Sequence, residues 1–254
     1  MLPAERKEQI KEQLRARRSV NVSELAQSLQ VTTETIRRDL AQLEKEGFLV
    51  KTHGGAIIRS QVMSSLSHEV LSTLYLPEKR KLAFEAAQMV SPGDCLFLDC
   101  STTVYQMCPY IKDMNLTVIS NSLDVLNFFA GSSTVNVICP GGQFYGINKS
   151  FMGVETSDFL NRHHFDKSFI SCRSVSLSSG LCDSTELMAD IRRTVIRNSS
   201  FTALLADHTK LDRHSYAPIC PLTDINALIV DEELGEEWLS VLNAACIKTV
   251  CCTL

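Results

Sequence analysis

VTTETIRRDLAQLEKEGFLVKTHGGA, residues 31–56, reads as an amphipathic helix running into a small β-hairpin. Ile36, Leu40 and Leu43 recur at i, i+4 and i+7 and form one apolar stripe, while Thr33, Arg37 and Arg38 lie off it. Thr32 or Thr33 can cap the helix, with Glu34 in the first turn, where the positive end of the helix dipole favours a carboxylate. The N-terminal half therefore points hydroxyls and guanidiniums outward. A helix that enters the major groove needs those groups, because Arg pairs with guanine edges and hydroxyls meet bases or phosphates. Gly47 ends the helix, and Phe48-Leu49-Val50 with the turn at Gly54-Gly55 forms a two-stranded wing carrying Lys51 and His53 toward a sugar-phosphate backbone.

Upstream, the pattern gives a first helix over 3–17, a second over 23–29 and a short turn at Gln30-Val31-Thr32. Three helices and a wing in this order make a winged helix-turn-helix over residues 1–57. Its candidate DNA contacts are Ser23, Thr32, Thr33, Thr35, Arg37, Arg38, Lys51 and His53. Taken singly, Arg37, Arg38 or Lys51 reads as solvated surface sooner than as a DNA contact; the order of parts shifts the reading to DNA.

Charge follows the same division. Residues 1–57 hold ten Lys plus Arg against eight Asp plus Glu, net +2, so the total of −4 leaves −6 for the rest. An excess this small pulls on phosphates only if Arg15, Arg17, Arg18, Arg37, Arg38 and Lys51 share a side. Two reading units joined through one body would double those contacts, and a homodimer or homotetramer is expected.

The chain has 254 residues, 44% of them hydrophobic, enough for one small and one ordinary domain. No apolar run is long enough to span a bilayer and the N-terminal residues lack a basic-then-apolar leader pattern, so a cytoplasmic protein without a membrane partner is expected. The ten cysteines include no CxxC pair and sit mainly in strand-like runs, as buried hydrophobes in a reducing compartment; Cys251-Cys252 has no reading. His163-His164 face different ways on any regular element and make no metal pair. No metal and no cofactor is expected.

Residues 58–76 begin serine-rich and without period, and read as a linker. Pro77 then opens a helix to Val90 with Leu82, Ala86 and Met89 inward and Lys79-Arg80-Lys81 on a solvated face. From Ser91 one grammar repeats: a turn, a short apolar run (CLFLDC, LTVIS, VNVIC, KSFISC, FTALLA, NALIV), a polar corner and usually a helix. Apolar runs alternating with helices give a parallel sheet covered on both faces, so residues 77–254 are expected to form an open α/β parallel-sheet domain.

Open parallel sheets gather ligands at the carboxyl ends of their strands. Those ends carry Asp99, Ser101, Thr102 and Thr103; Asn121 and Ser122; Gly141 and Gly142; Arg173; and Asp207 with Lys210. Hydroxyls running into a helix N-terminus suit an anion, Gly141-Gly142 lets backbone approach closely, and Lys210 adds charge. A phosphate there, with Asp99 or Asp207 on sugar hydroxyls, is the simplest consistent ligand. Plain N-caps at Ser101–Thr103, a plain turn at Gly141-Gly142 and a surface pair at Asp207 and Lys210 stay open as readings.

ERKEQIKEQL, VNVSELAQSLQVTTETIRRDLAQLEKEGFLVKTHGGA and, later, FLDCSTTV, ISNS and PGG resemble the DeoR family of bacterial sugar-responsive transcription regulators. The resemblance implies a C-terminal domain like ribose-5-phosphate isomerase and glucosamine-6-phosphate deaminase, reused to sense a phosphorylated sugar. On it, Asp99 to Thr103, Asn121-Ser122, Gly141-Gly142 and Asp207 with Lys210 occupy the effector motifs, and Ser101, Ser171 and Ser174 stand where glycine is usual. DCSTT with SCRSVSLSSGLCDSTE resembles the L-fucose and L-rhamnose branch, which implies a deoxy-ketose 1-phosphate; Arg173 and the RSV string depart from it.

The expected function is a transcription regulator, a repressor of a sugar-catabolism operon, whose hold on double-stranded operator DNA and on the effector each weaken the other by the same factor. An activator of the same build is the alternative. An isomerase-like enzyme using Asp99, Asp207 and Lys210 is a remote one, because a DNA-reading module has no use in it.

Overall fold

A computed structural model describes residues 3–17, 19–45, 49–52, 54–58 and 68–252. The chain divides into two compact units, Met1–Leu66 and Ser67–Leu254.

The first unit runs α1 (Pro3–Arg17), β1 (Ser19–Asn21), α2 (Val22–Ser28), α3 (Thr33–Lys45), β2 (Leu49–Thr52) and β3 (Gly55–Ile58). Its core joins Ile10 and Leu14 of α1, Leu25 of α2, and Ile36, Leu40 and Leu43 of α3, so the stripe read from spacing is the buried one. The wing differs from the two-stranded expectation. β1 pairs antiparallel with the free edge of β3, giving the order β1-β3-β2. Glycine makes this possible: a Cβ at Gly55, opposite Asn21, would stand 1.9 Å from the Val20 carbonyl oxygen. α2 starts one residue before Ser23, because the Asn21 side chain accepts the Ser23 N–H at 2.8 Å and caps it. Arg18, Gly47, Phe48 and His53 lie outside the described residues.

The second unit is built on a seven-stranded parallel sheet, β4 (Cys95–Leu98), β5 (Leu116–Ser120), β6 (Val135–Ile138), β9 (Phe165–Ile170), β12 (Ser199–Ala206), β14 (Ala227–Val230) and β15 (Lys248–Cys251), in the order β15-β14-β12-β9-β4-β5-β6. Successive residues enter opposite cores: Ala203 and Leu205 pack with Leu82, Ala86 and Met107, while Leu204 and Ala206 pack with Trp238 and Leu242. Both faces are thus covered, as continuous apolar strands require. α5 (Leu76–Ala87), α6 (Cys108–Ile111) and α7 (Leu123–Phe129) cover one face; α8 (Val154–Asn161), α9 (Glu186–Arg197) and α10 (Glu236–Ala244) cover the other.

Three additions were not legible. β7 (Gln143–Tyr145) and β8 (Ser150–Met152) form a hairpin, and β10 (Ser174–Ser176), β11 (Gly180–Asp183) and β13 (Ala217–Cys220) form a small antiparallel sheet. The stretch expected to be linker contains a helix, α4 (His68–Thr73), and α5 begins at Leu76 with Pro77 in its first turn. The C-terminal cysteines fall in and just after edge strand β15, with Cys251 exposed and Cys252 buried against the sheet.

The chain visits β4, β5 and β6 in one direction and β9, β12, β14 and β15 in the other. The topological switch therefore lies between β4 and β9, and the crevice past their carboxyl ends is where such sheets bind ligands.

Candidate functional site

The first unit offers the outer face of α3. Thr32 caps it: its hydroxyl accepts the Thr35 N–H at 3.3 Å and is 3.0 Å from the Thr35 hydroxyl. Thr33, Arg37 and Arg38 are exposed, Arg37 pairing loosely with Glu34 at 3.6 Å. Ser23 is exposed on α2 and Lys51 on β2, where Lys51 Nζ stands 3.4 Å from Glu44. What aims this face is a pair the sequence did not flag. Asp39 points inward and takes the Arg6 guanidinium of α1 as a fork, Nε at 2.5 Å and a terminal nitrogen at 3.1 Å. With Asp39 and Leu40 turned in, Arg37 and Arg38 must turn out.

In the second unit the switch point is occupied by Asp99, just past β4. Its Oδ1 accepts the Ser101 N–H at 2.8 Å, and its Oδ2 accepts the Ser171 N–H at 2.9 Å and the Arg192 guanidinium at 2.8 and 3.1 Å. Arg192, on α9, also reaches Asp183 of β11 at 2.9 Å and the Met188 carbonyl at 3.3 Å. Burial works against the Arg192 charge, but the two carboxylates hold its pKa above the ordinary value. Asp99 was expected to hold sugar hydroxyls; in the structure both its oxygens fix the loops after β4 and β9. Ser101 is likewise committed, its hydroxyl accepting the Val104 N–H at 3.1 Å as a cap, and Thr103 is buried.

Thr102 differs. Its hydroxyl accepts from Lys79 Nζ at 3.0 Å. Lys79, read as part of a solvated face, is 4% exposed, because on α5 it shares a stripe with Leu82, Ala83 and Ala86. Burial first, and then Lys210, push its ammonium down to about 8. After β9 and β12, Lys210 Nζ donates to Ser171 Oγ at 2.6 Å and lies 3.6 Å from Asp207. Against the burial that would raise it, Lys210 and the Thr209 hydroxyl keep the Asp207 carboxyl below its ordinary value. Asp207 also acts on Arg173, whose guanidinium is lowered to about 10 by burial and keeps one buried terminal nitrogen without a hydrogen-bond partner among the described residues. His208 beside them gives Nδ1 to Asp231 at 2.8 Å, and that bond raises its pKa against burial.

The structure thus gathers Lys79, Thr102, Ser171, Arg173, Asp207 and Lys210 at the ends of the three central strands: three cations around one carboxylate, whose Oδ1 accepts from Thr209 and whose Oδ2 faces Lys210 at 3.6 Å. Asn121 and Ser122 end the neighbouring β5. Ser122 caps α7 through Val125 N–H at 3.4 Å, and Asn121 donates to the Phe151 carbonyl at 3.2 Å, its Oδ1 buried without a partner among the described residues. Gly141 and Gly142 follow β6, and what Gly142 (φ 105°) approaches is protein: a Cβ there would meet the Thr156 hydroxyl at 2.1 Å and the Met152 carbonyl at 2.9 Å. At Gly142 the close approach is thus a packing contact with α8 and β8, whereas a Cβ at Gly141 would meet nothing within 4 Å. Lys79, Arg192, Asp183 and His208 were missed, although a Lys and an Arg on the apolar stripes of α5 and α9 were visible by spacing. Among the described residues no group of His, Cys, Asp and Glu could hold a metal, and no helix is long and apolar enough to cross a membrane.

Comparison with known proteins assigns both units. Residues 6–62 match the DeoR-like helix-turn-helix domain, and residues 75–232 the DeoR C-terminal sensor domain. The uncharacterised helix-turn-helix-type transcriptional regulator YulB of Bacillus subtilis is 36% identical over 98% of this chain and 96% of its own. A lactose phosphotransferase system repressor of Staphylococcus epidermidis is 32% identical over 89% and 91%. A putative aga operon transcriptional repressor of Escherichia coli O157:H7 is 30% identical over 97% and 93%. Among solved structures, ribose 5-phosphate isomerase A of Methanocaldococcus jannaschii aligns with 52% of this chain and 53% of its own, at 16% identity and a TM-score of 0.39.

Proposed function

The chain belongs to the DeoR family of helix-turn-helix transcription regulators, and on that premise we propose that it represses a sugar-catabolism operon and releases its operator when a phosphorylated sugar binds the second unit. The names of the relatives, repressors of lactose and aga systems among them, support the sign and the class of operon. The observation that carries the effector is the buried Arg173 guanidinium nitrogen that has no hydrogen-bond partner among the described residues, on a side chain that feels Asp207, the carboxylate Lys210 and Lys79 also act on. A buried donor left unmade costs about 1–3 kcal/mol, and an anionic ligand recovers that. Phosphate meets the three cations and the Thr102 and Ser171 hydroxyls, and Asp207 Oδ2, which faces Lys210 at 3.6 Å while Oδ1 holds Thr209, takes a sugar hydroxyl.

At the other end, Arg37 and Arg38 read base edges, Thr32, Thr33 and Thr35 line the N-terminal turn of the reading helix, and Ser23 and Lys51 hold phosphates. Two chains, as a homodimer or tetramer, present two such helices to paired half-sites. Effector and operator then oppose each other through one linkage.

The test is operator binding measured with and without sugar phosphates, alongside a thermal shift. A true effector at 100 times its dissociation constant adds about 2.7 kcal/mol of stability. It should also weaken DNA binding. A sugar phosphate that stabilises the protein and strengthens DNA binding would make the protein an activator or a corepressor-dependent regulator. If no phosphorylated sugar changes either quantity, the sensor assignment fails.

A further inference from the structure

α4 is six residues long, too short to hold itself helical in water, so its position is set by what it touches. Three of its attachments matter here. The His68 N–H donates to the Ile147 carbonyl at 3.2 Å, in the turn between β7 and β8. His68 Nε2 stands 3.5 Å from Asp124, in the first turn of α7. The third is at the effector corner itself: the Leu71 carbonyl accepts from Lys79 Nζ at 2.5 Å and from the Thr102 hydroxyl at 3.4 Å.

The third attachment is unusual in kind. Lys79 carries its charge almost wholly buried, and among the described residues it makes no ion pair; its donors go to two neutral oxygens, Leu71 O and Thr102 Oγ1. An ammonium so placed gains far more from an anion than from a carbonyl, because a bond with charge on both partners is roughly twice as strong as a neutral one. Thr102 shares the conflict, since its one hydroxyl proton serves either the Leu71 carbonyl or a ligand oxygen. Both donors that hold Leu71 are thus donors an anionic effector would claim. α4 is also the first described element after residues 59–67, which lead back in sequence to β3 of the DNA-reading unit.

We infer that Lys79 is an effector-contacting residue that doubles as the latch of α4: an anionic ligand draws its ammonium, and the Thr102 hydroxyl, away from the Leu71 carbonyl, and the freed helix passes occupancy of the sensor corner to the DNA-reading unit. The inference rests on the proposed sugar-phosphate reading for its ligand, and it supplies the differential contact that a population shift requires. Without effector Lys79 bonds α4. With effector it bonds the ligand, and the attachment at Leu71 is lost while those at His68 stay.

The experiment uses the full chain, and hydrogen exchange read by mass spectrometry on peptides covering 68–73 and 99–104. The DNA is a duplex selected from a random pool by the wild-type protein. Probes are glucose 6-phosphate, fructose 1-phosphate, fructose 6-phosphate, L-fuculose 1-phosphate and inorganic phosphate. A binding probe should protect 99–104 while 68–73 exchanges about tenfold faster, the change expected for loss of one charge-assisted bond in a locally opening segment. Protection of both segments together would overturn the latch and leave the sugar-phosphate reading intact.

A second arm needs no ligand. Lys79→Met keeps the stem and removes the charge, so α4 should exchange about tenfold faster and DNA affinity should fall by about the factor an effector produces, 5- to 150-fold for a typical coupling. Thr102→Val should change both in the same direction by less, and carries this arm if Lys79→Met does not fold. Wild-type exchange over 68–73 together with wild-type DNA affinity in the folded variants overturns the proposal. Loosened α4 and weakened DNA binding in the variants, with no probe binding the wild type, would keep the latch and overturn the sugar-phosphate ligand.

Discussion

Each unit is organised around one buried arginine, and the two arginines are used differently. In the DNA-reading unit Arg6 meets a single carboxylate, Asp39, fork to fork between α1 and α3. In the sensor unit Arg192 stands between two, Asp99 and Asp183, brought from β4 and β11 to the middle of α9. The first arrangement is balanced and fixes the roll of one helix. The second is one cation short of neutral and fixes two loops, since Asp99 orders Ser101 and Ser171 together. Reading DNA needs one rigid helix face; sensing a ligand needs several strand ends held in register.

Arg192→Met tests that contrast with the largest expected effect. It leaves two carboxylates buried without their cation, and breaking a buried pair costs about 3–5 kcal/mol. Calorimetry should show the sensor unit melting earlier while the transition of the DNA-reading unit stays in place. Equal shifts in both transitions would mean that the units do not fold separately and that the comparison is wrong.

The balanced pair should cost somewhat less. Arg6 and Asp39 side chains keep 10% and 8% of their exposure, so water can reach what a substitution leaves behind. Asp39→Ala should lose roughly 3 kcal/mol, near the lower end for a buried pair. The double variant Arg6→Met, Asp39→Leu should recover most of it in a urea melt, because a buried ion pair replaced by apolar side chains is often neutral. No recovery would mean that the fork does more than aim α3.

The same contrast explains what could be read from the sequence. Ile36, Leu40, Leu43 and the N-cap Thr32 lie within one helix and its edge, so 3.6-residue spacing revealed which face is buried. The strands of the sheet were legible for a similar reason, as apolar runs of four to six residues between turns. The sensor corner was half legible. Thr102, Asp207 and Lys210 follow strands and were found by that rule, but what they contact depends on partners far along the chain, such as Lys79 for Thr102 and Ser171 for Lys210. Asp99 was read from its place after a strand alone; its partner Arg192 is 93 residues away, and only the fold joins them. β1 and α4 were missed because three and six residues are too few to establish a period.

Base reading comes next in size. Arg37→Ala or Arg38→Ala should each cost about 1–3 kcal/mol at the selected site and relax preference at one position. Arg37 shares its charge with Glu34 at 3.6 Å, both well exposed, so Glu34→Gln should leave stability nearly unchanged and tighten DNA binding slightly. Uniform weakening across all sequences would turn Arg37 and Arg38 into phosphate contacts and move base reading elsewhere.

In the sensor unit the comparable quantity is a proton. Burial lowers Lys79 to about 8 from an ordinary 10.5, so between those values the unfolded chain binds more protons and ligand-free stability rises with pH. An anionic effector needs the ammonium form. Its affinity should therefore hold below pH 8 and fall above it by up to about tenfold per pH unit, or 1.4 kcal/mol, as binding has to recover the lost proton. Titration calorimetry in buffers of different ionisation heat would register the uptake near pH 8. An affinity flat from pH 7 to 9.5 would remove Lys79 from the ligand.

The smallest effect belongs to the wing, and it separates position from charge. Lys51 lies on β2 with its Nζ 3.4 Å from Glu44, and its own N–H donates to the other oxygen of that carboxylate at 2.8 Å. Glu44 therefore holds the strand through the backbone whatever happens to the ammonium. Lys51→Ala should leave the wing in place, weaken all DNA sequences alike, and flatten the salt dependence by up to about one unit of slope. Because Glu44 already neutralises part of the charge, the fall should be less than a full unit, and Glu44→Gln should steepen the slope while loosening the hold on β2. If Lys51→Ala instead changes which sequences bind, the wing reads bases, and the division of labour between helix and wing must be redrawn.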